Sequence, residues 1–167
     1  VVEEKGVYSV EMFLVGRRLM YWQAYLHKTS VCAELILVRI LKRAKELVSK
    51  GVKLWGSPAL LFFLEHKGEF VDFEQTALEQ FALLDDSDIV SALKSWQFHD
   101  DFVLAQLSKM IVNRKLLRIE IIEDKKLVKE ELKKRLEDVQ TKNKISAEWA
   151  NYFVFKGKVR NQAYSKD

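Results

Sequence analysis

The sequence predicts a mainly α-helical body that opens on one long helix and closes on a small β-α-β element, α+β overall. Three observations carry this. From Ser9 to Lys50 there is no Pro, and Gly16 is the only Gly. Apolar residues recur there at helical spacing through Leu19, Trp22, Leu26, Leu37, Ile40, Leu41, Ala44 and Leu47. Beyond residue 115 the pattern changes to β-branched alternation on either side of a highly charged helical run.

The long helix, or two nearly collinear ones, carries Arg39, Lys42, Arg43 and Glu46 on its polar side and stops at Gly51. Ser57 as N-cap and Pro58 at the first helical position start the next helix, "PALLFFLE". Gly68 supplies a turn in the polar stretch that follows. "LLDDSDIVSALKSW" reads as a helix capped by Asp85 or Asp86, with Ile89, Val90, Leu93 and Trp96 on its apolar side. "QFHDD" then connects to the helix "DFVLAQLSKMIVNRK", for which Asp100 is the candidate cap. Leu116 to Ile122 alternates around Arg118 and Glu120 as a strand. "DKKLVKEELKKRLEDVQTK" is a charged helix with Leu127, Leu132, Leu136 and Val139 inward, and "NYFVFKGKV" is a second strand. The division is therefore a helical part, residues 1–115, and a C-terminal β-α-β element, residues 116–167.

Length and composition narrow the function classes. A chain of 167 residues, 49% hydrophobic and 31% charged, supports one domain with a real core rather than a disordered segment. Its net charge of +4 favours anionic partners only weakly, because acidic residues are interspersed. The single cysteine, Cys32, excludes an internal disulfide. No apolar run reaches the length of a membrane span and nothing resembles a signal peptide, so a cytoplasmic protein without a membrane partner is expected. The opening without Met and the close just after a strand-like stretch read as an excised fragment.

Few motifs promise chemistry. His66, His99-Asp100 and Asp124 stand in the H…HD…D order of metal-dependent phosphohydrolases, but they fall in connections and at a helix start, so no metal site is assigned to them. There is no Gly-rich phosphate loop, nucleophile elbow, C-x-x-C pair or H-E-x-x-H helix. Glu130, Glu131, Glu137 and Asp138 interleave with the lysines of the charged helix, which describes a solvated, salt-bridged face. Nucleic acid is thus not the expected partner.

The stretch "GRRLMYWQAYLHKT", residues 16–29, is different. On a helix, Arg17, Tyr21, Tyr25 and Lys28 fall within an arc of roughly 80°, apart from the stripe of Leu19, Trp22 and Leu26. Tyr packs its ring and presents its hydroxyl, while Arg forks onto phosphate oxygens. Such a face suits an anionic ligand. Aromatics at this spacing also suit simple core packing, and composition alone leaves both readings open.

A resemblance adds to this. "SVEMFLVGRRLMYWQAYLHKT", followed by "ELILVRILKRAKEL", is similar to the bacterial HD-superfamily phosphohydrolases, relatives of the deoxynucleoside triphosphate triphosphohydrolases. The similarity continues through "LLDDSDIVSALKSW" and "NRKLLRIEII" to "YFVF" and "NQAY". In that family the metal-binding H…HD…D residues precede the matched region, so the resemblance implies the C-terminal part of a larger enzyme. That part has no catalytic residues of its own and binds no metal; the divalent cation sits in the missing N-terminal half. The resemblance further implies that Arg17 meets substrate phosphate and Tyr25 the nucleoside, with Tyr21 beside them. His27 and Lys28 match a pair that approaches a regulatory nucleotide at a subunit interface, and a homo-oligomer is implied. Tyr21 stands where close relatives tend to have His, and Gln23 replaces an Arg. The competing reading is a basic helical module that binds nucleic acid or another protein without catalysis.

Overall fold

The computed structural model describes residues 3–66, 75–120, 122 and 124–157. Eight α-helices and no strand occur among them: α1 (Val7–Met20), α2 (Lys28–Ser49), α3 (Pro58–Glu65), α4 (Gln75–Leu83), α5 (Asp86–Trp96), α6 (Phe102–Val112), α7 (Lys125–Asn143) and α8 (Ala147–Phe153). A short 3₁₀ turn, Glu4–Gly6, leads into α1, and a π-helical turn, Tyr21–Tyr25, follows it.

The long helix is real but interrupted. At Tyr21 the ladder widens, so that the Leu26 N–H donates to the Tyr21 carbonyl at 3.0 Å, five residues back. His27 then leaves helical geometry (φ −62°, ψ 134°) and its imidazole caps α2 by accepting from the Thr29 N–H. Helix α2 ends in a paired-carbonyl cap: the Gly51 N–H donates to Val48 and the Val52 N–H to Leu47, with Gly51 at φ +84°. That left-handed conformation is why a glycine stops this helix.

Helix α2 buries Cys32, Ile36, Ile40, Ala44 and Leu47 against α6 and α3, and α5 packs on α6. Ile36, Ile40, Val103, Leu104 and Leu107 are fully buried, each contributing about 1.5–3 kcal/mol of transfer free energy. Trp96 closes the core from α5, its indole N–H donating to the Trp55 carbonyl at 2.8 Å. The Cys32 thiol is buried and donates weakly to the Leu117 carbonyl; burial pushes its pKa up.

Most helix starts follow the expected chemistry. Ser57 caps α3 with Pro58 at the first position, and Asp85, not Asp86, caps α5 in a reciprocal pair with Asp88. The cap of α6 is Asp101 rather than Asp100: its carboxylate accepts from the Leu104 N–H, and its own N–H donates to His99 Nδ1. Val90 and Leu127, read as inward, are exposed.

The expected β-α-β element is absent among the described residues. Residues 116–120 belong to no helix and no strand; Leu116, Leu117 and Ile119 pack onto the core while Arg118 and Glu120 are exposed. Their alternation therefore records a chain lying on a helical body, not a strand in a sheet. Ser146 caps α8, so the "NYF" of the second strand candidate is helical. The aromatics of α8 pack on α6: Phe102 stacks on Trp149 at 6.0 Å and meets Phe153 with tilted rings at 5.9 Å between centroids. The readings at Gly68, at Ile121, at residues 158 and 159, and at "NQAY" lie outside the described residues.

Candidate functional site

The cationic stretch sits where α1, the π-turn and the start of α2 meet. Every residue from Val7 to Tyr25 is exposed. The sequence between Glu11 and Glu34 holds no acidic residue, while Arg17, Arg18 and Lys28 lie within it. Among the described residues no hydrogen bond or ion pair holds the Arg17 guanidinium or the Lys28 ammonium. Uncompensated cations on an exposed turn form a local positive field.

Tyr21 and Tyr25 are brought together, their ring centroids 5.7 Å apart and their planes tilted by 35°. The Tyr21 N–H lies over the Arg17 and Arg18 carbonyls, which fixes the arginines one turn before the phenols. Ser30 ties the turn to α2 through its hydroxyl, which donates to the Ala24 carbonyl at 2.8 Å. His27 spends its Nδ1 on the helix cap. Its Nε2 edge remains for a ligand. Lys28 begins a new helix after the extended His27, so it does not continue the face of Arg17, Tyr21 and Tyr25. Leu19 and Trp22, expected to pack inward, are about half exposed.

The His66, His99, Asp100 and Asp124 set does not assemble: among the described residues no group of three or more His, Cys, Asp or Glu could hold a metal ion. No described helix is long and apolar enough to cross a membrane.

Periodicity misses the polar cluster that ties the molecule together. Arg43 falls on the polar side of the sequence reading but is 4% exposed. Its guanidinium forks onto Asp101, Nε to Oδ1 at 3.1 Å and Nη2 to Oδ2 at 2.7 Å, and Nη1 reaches Glu46 at 3.1 Å. The Tyr152 hydroxyl of α8 donates to the other Glu46 oxygen. Burial and the bond to Glu46 push the Tyr152 hydroxyl up to about 12. Burial alone would raise the Asp101 carboxyl, but the Arg43 and Leu104 hydrogen bonds outweigh it and hold the group below its ordinary range. Beside this cluster Arg39 lies 3.7 Å over the Phe155 ring and donates to the Asn151 carbonyl. The sequence signal was present only as an Arg-x-x-Glu pair at i, i+3. The cluster joins α2, α6 and α8.

No family model matches the chain. Over 118 residues, 71% of this chain, it is 33% identical to YwfO of Bacillus subtilis (strain 168), a protein described as uncharacterised. It superimposes on the crystal structure of a phosphohydrolase from Bacteroides thetaiotaomicron with a TM-score of 0.83 and 43% identity, over 96% of its length. The chain has the fold of part of a phosphohydrolase. It spans 26% of YwfO and 41% of the solved phosphohydrolase.

Proposed function

We propose that this chain is the C-terminal substrate-contact part of a metal-dependent HD-type phosphohydrolase that acts on (deoxy)nucleoside triphosphates. The observation that carries the reading is the likeness to a phosphohydrolase over nearly the whole chain. The exposed cations and paired phenols at the π-turn agree with it. In this reading residues 1–115 carry the substrate contacts and residues 116–167 are the C-terminal element.

Arg17 forks onto phosphate oxygens and offsets triphosphate charge. Tyr21 and Tyr25 place ring faces and hydroxyls against the sugar or base. His27 Nε2 and Lys28 meet a second, regulatory nucleotide. The H…HD…D residues of the larger enzyme would hold a divalent cation, whose chemistry there would be to activate water and polarise a phosphoryl oxygen. This chain's residues bind and orient; they do not perform the chemistry.

Calorimetric titration of the 167-residue chain with deoxynucleoside triphosphates tests the reading, with unphosphorylated nucleosides as the control. Saturable binding that weakens with salt and is lost in Arg17→Ala is expected, with no phosphate released in Mg²⁺ or Mn²⁺. Absence of binding at millimolar nucleotide, or an Arg17→Ala protein that binds unchanged, refutes it.

A further inference from the structure

We propose that His27 is a proton switch: it caps α2 while neutral and takes up a proton when the phosphates of a nucleotide bind beside it. The switch belongs to the nucleotide contact proposed above, depends on that reading and gives the site a regulation by pH. His27 Nδ1 accepts the Thr29 N–H at 3.3 Å. A ring nitrogen that accepts carries no proton, so the capping imidazole is neutral and holds its one hydrogen on Nε2. Protonation sets a second N–H against the Thr29 N–H, and the cap is lost. Capping and charge therefore exclude each other in this side chain.

The charges around His27 set the terms of the exchange. The residue is exposed where the π-turn meets α2. Arg17 and Arg18 of α1 and the phenols of Tyr21 and Tyr25 precede it, and Lys28 follows it. The segment after α6 meets α2 at its second turn, where the Cys32 thiol donates to the Leu117 carbonyl. That segment brings Arg114, Lys115 and Arg118, the last paired with Glu120 at 3.2 Å. The first acid along α2 is Glu34, about two turns on. Without a ligand the local field is positive and the cap keeps its acceptor. A triphosphate brings several negative charges to the Nε2 edge at once, against a single neutral hydrogen bond at Nδ1. A proton from the buffer then adds to Nδ1, the Thr29 N–H is released, and Nε2–H becomes a charge-assisted donor to a phosphate oxygen. The bond from the Ser30 hydroxyl to the Ala24 carbonyl does not involve the imidazole and keeps α2 tied to the turn. Because the complex holds more protons than its free parts, affinity rises as pH falls.

Calorimetric titration of the chain with each of the four deoxynucleoside triphosphates counts these protons, in buffers of different ionisation enthalpy between pH 6 and pH 8. The terminal phosphate titrates in the same range, so the readout is the difference between wild type and His27→Asn. Asparagine caps a helix but does not titrate, so the variant keeps the start of α2. His99→Asn is the control: His99 Nδ1 also accepts a backbone N–H, from Asp101 at 2.9 Å, but beside the Arg43 pair. Wild type and His99→Asn should each take up about half a proton or more beyond His27→Asn, and gain at least about threefold more affinity from pH 8 to pH 6. Nitrogen-15 spectra of the free chain at pH 8 should show His27 as the Nε2–H tautomer. Nucleotide binding without the extra uptake, uptake that survives in His27→Asn, or an Nδ1–H tautomer overturns the switch and leaves the reading of the site standing. Absence of nucleotide binding removes both.

Discussion

Asp101→Ala isolates the buried polar cluster. The substitution removes both oxygens that hold Arg43, whose side chain is only 5% exposed, and also the acceptor that caps α6. Breaking one side of a buried ion pair costs about 3–5 kcal/mol, and loss of an N-cap about 1 kcal/mol. Glu46 remains on Nη1, but it is 45% exposed and cannot replace the forked pair. The sum, reduced for that remaining partner, is about 3–4 kcal/mol. Asp101→Asn keeps a capping oxygen and one hydrogen bond to Arg43 and should cost about half as much. Urea unfolding followed by circular dichroism at pH 7 measures both. At about 2–4 °C per kcal/mol for a chain of this size, the alanine variant should also melt roughly 6–16 °C lower. An Asp101→Ala protein within about 1 kcal/mol of wild type would show that the Arg43–Asp101 pair contributes little, and that the packing of α2 on α6 alone holds the fold.

The pH dependence should carry the same signature. Asp101 has a folded pKa below its ordinary 3.8, so its contribution is complete above that value and is lost as pH falls through the lower folded pKa. Tyr152, raised from 10.0 to about 12, contributes below pH 10 and loses that contribution as pH climbs toward 12. Urea midpoints across both windows, compared with Asp101→Asn and Tyr152→Phe, should each show one flank removed. Two helix ends predict opposite signs. Gly51→Ala forces an L-residue to φ +84° and should cost about 1 kcal/mol, while Arg114→Gly, at φ 55°, should stabilise by about 0.5–1 kcal/mol. In a complete enzyme that contains this chain, Arg17→Ala should reduce kcat/KM by about 2–4 kcal/mol of transition-state stabilisation, and Arg17→Lys should recover part of it. Steady-state kinetics decide this, and an unchanged kcat/KM removes Arg17 from the site.

The sequence by itself determined what depends on neighbours along the chain. Helical periodicity, the Ser57-Pro58 start, a cap at Asp85 or Asp86 and the Gly51 stop are all local, because a cap or a left-handed turn is satisfied within about five residues. The crowding of Arg17, Tyr21, Tyr25, His27 and Lys28 was equally plain, although the π-turn and the extended His27 rearrange the single face that an ideal helix would give them. Tertiary structure alone decided the rest. Alternation around Arg118 and Glu120 has the same period whether the chain pairs in a sheet or lies on helices, and only the core beneath Leu116, Leu117 and Ile119 separates the two. Arg43 sits within a polar helical run, and nothing nearby in sequence announces that Asp101, 58 residues away, makes its burial tolerable. The stripe of Leu19 and Trp22 was legible as apolar, yet what covers an apolar face is a property of the partner surface, which the stripe itself does not encode.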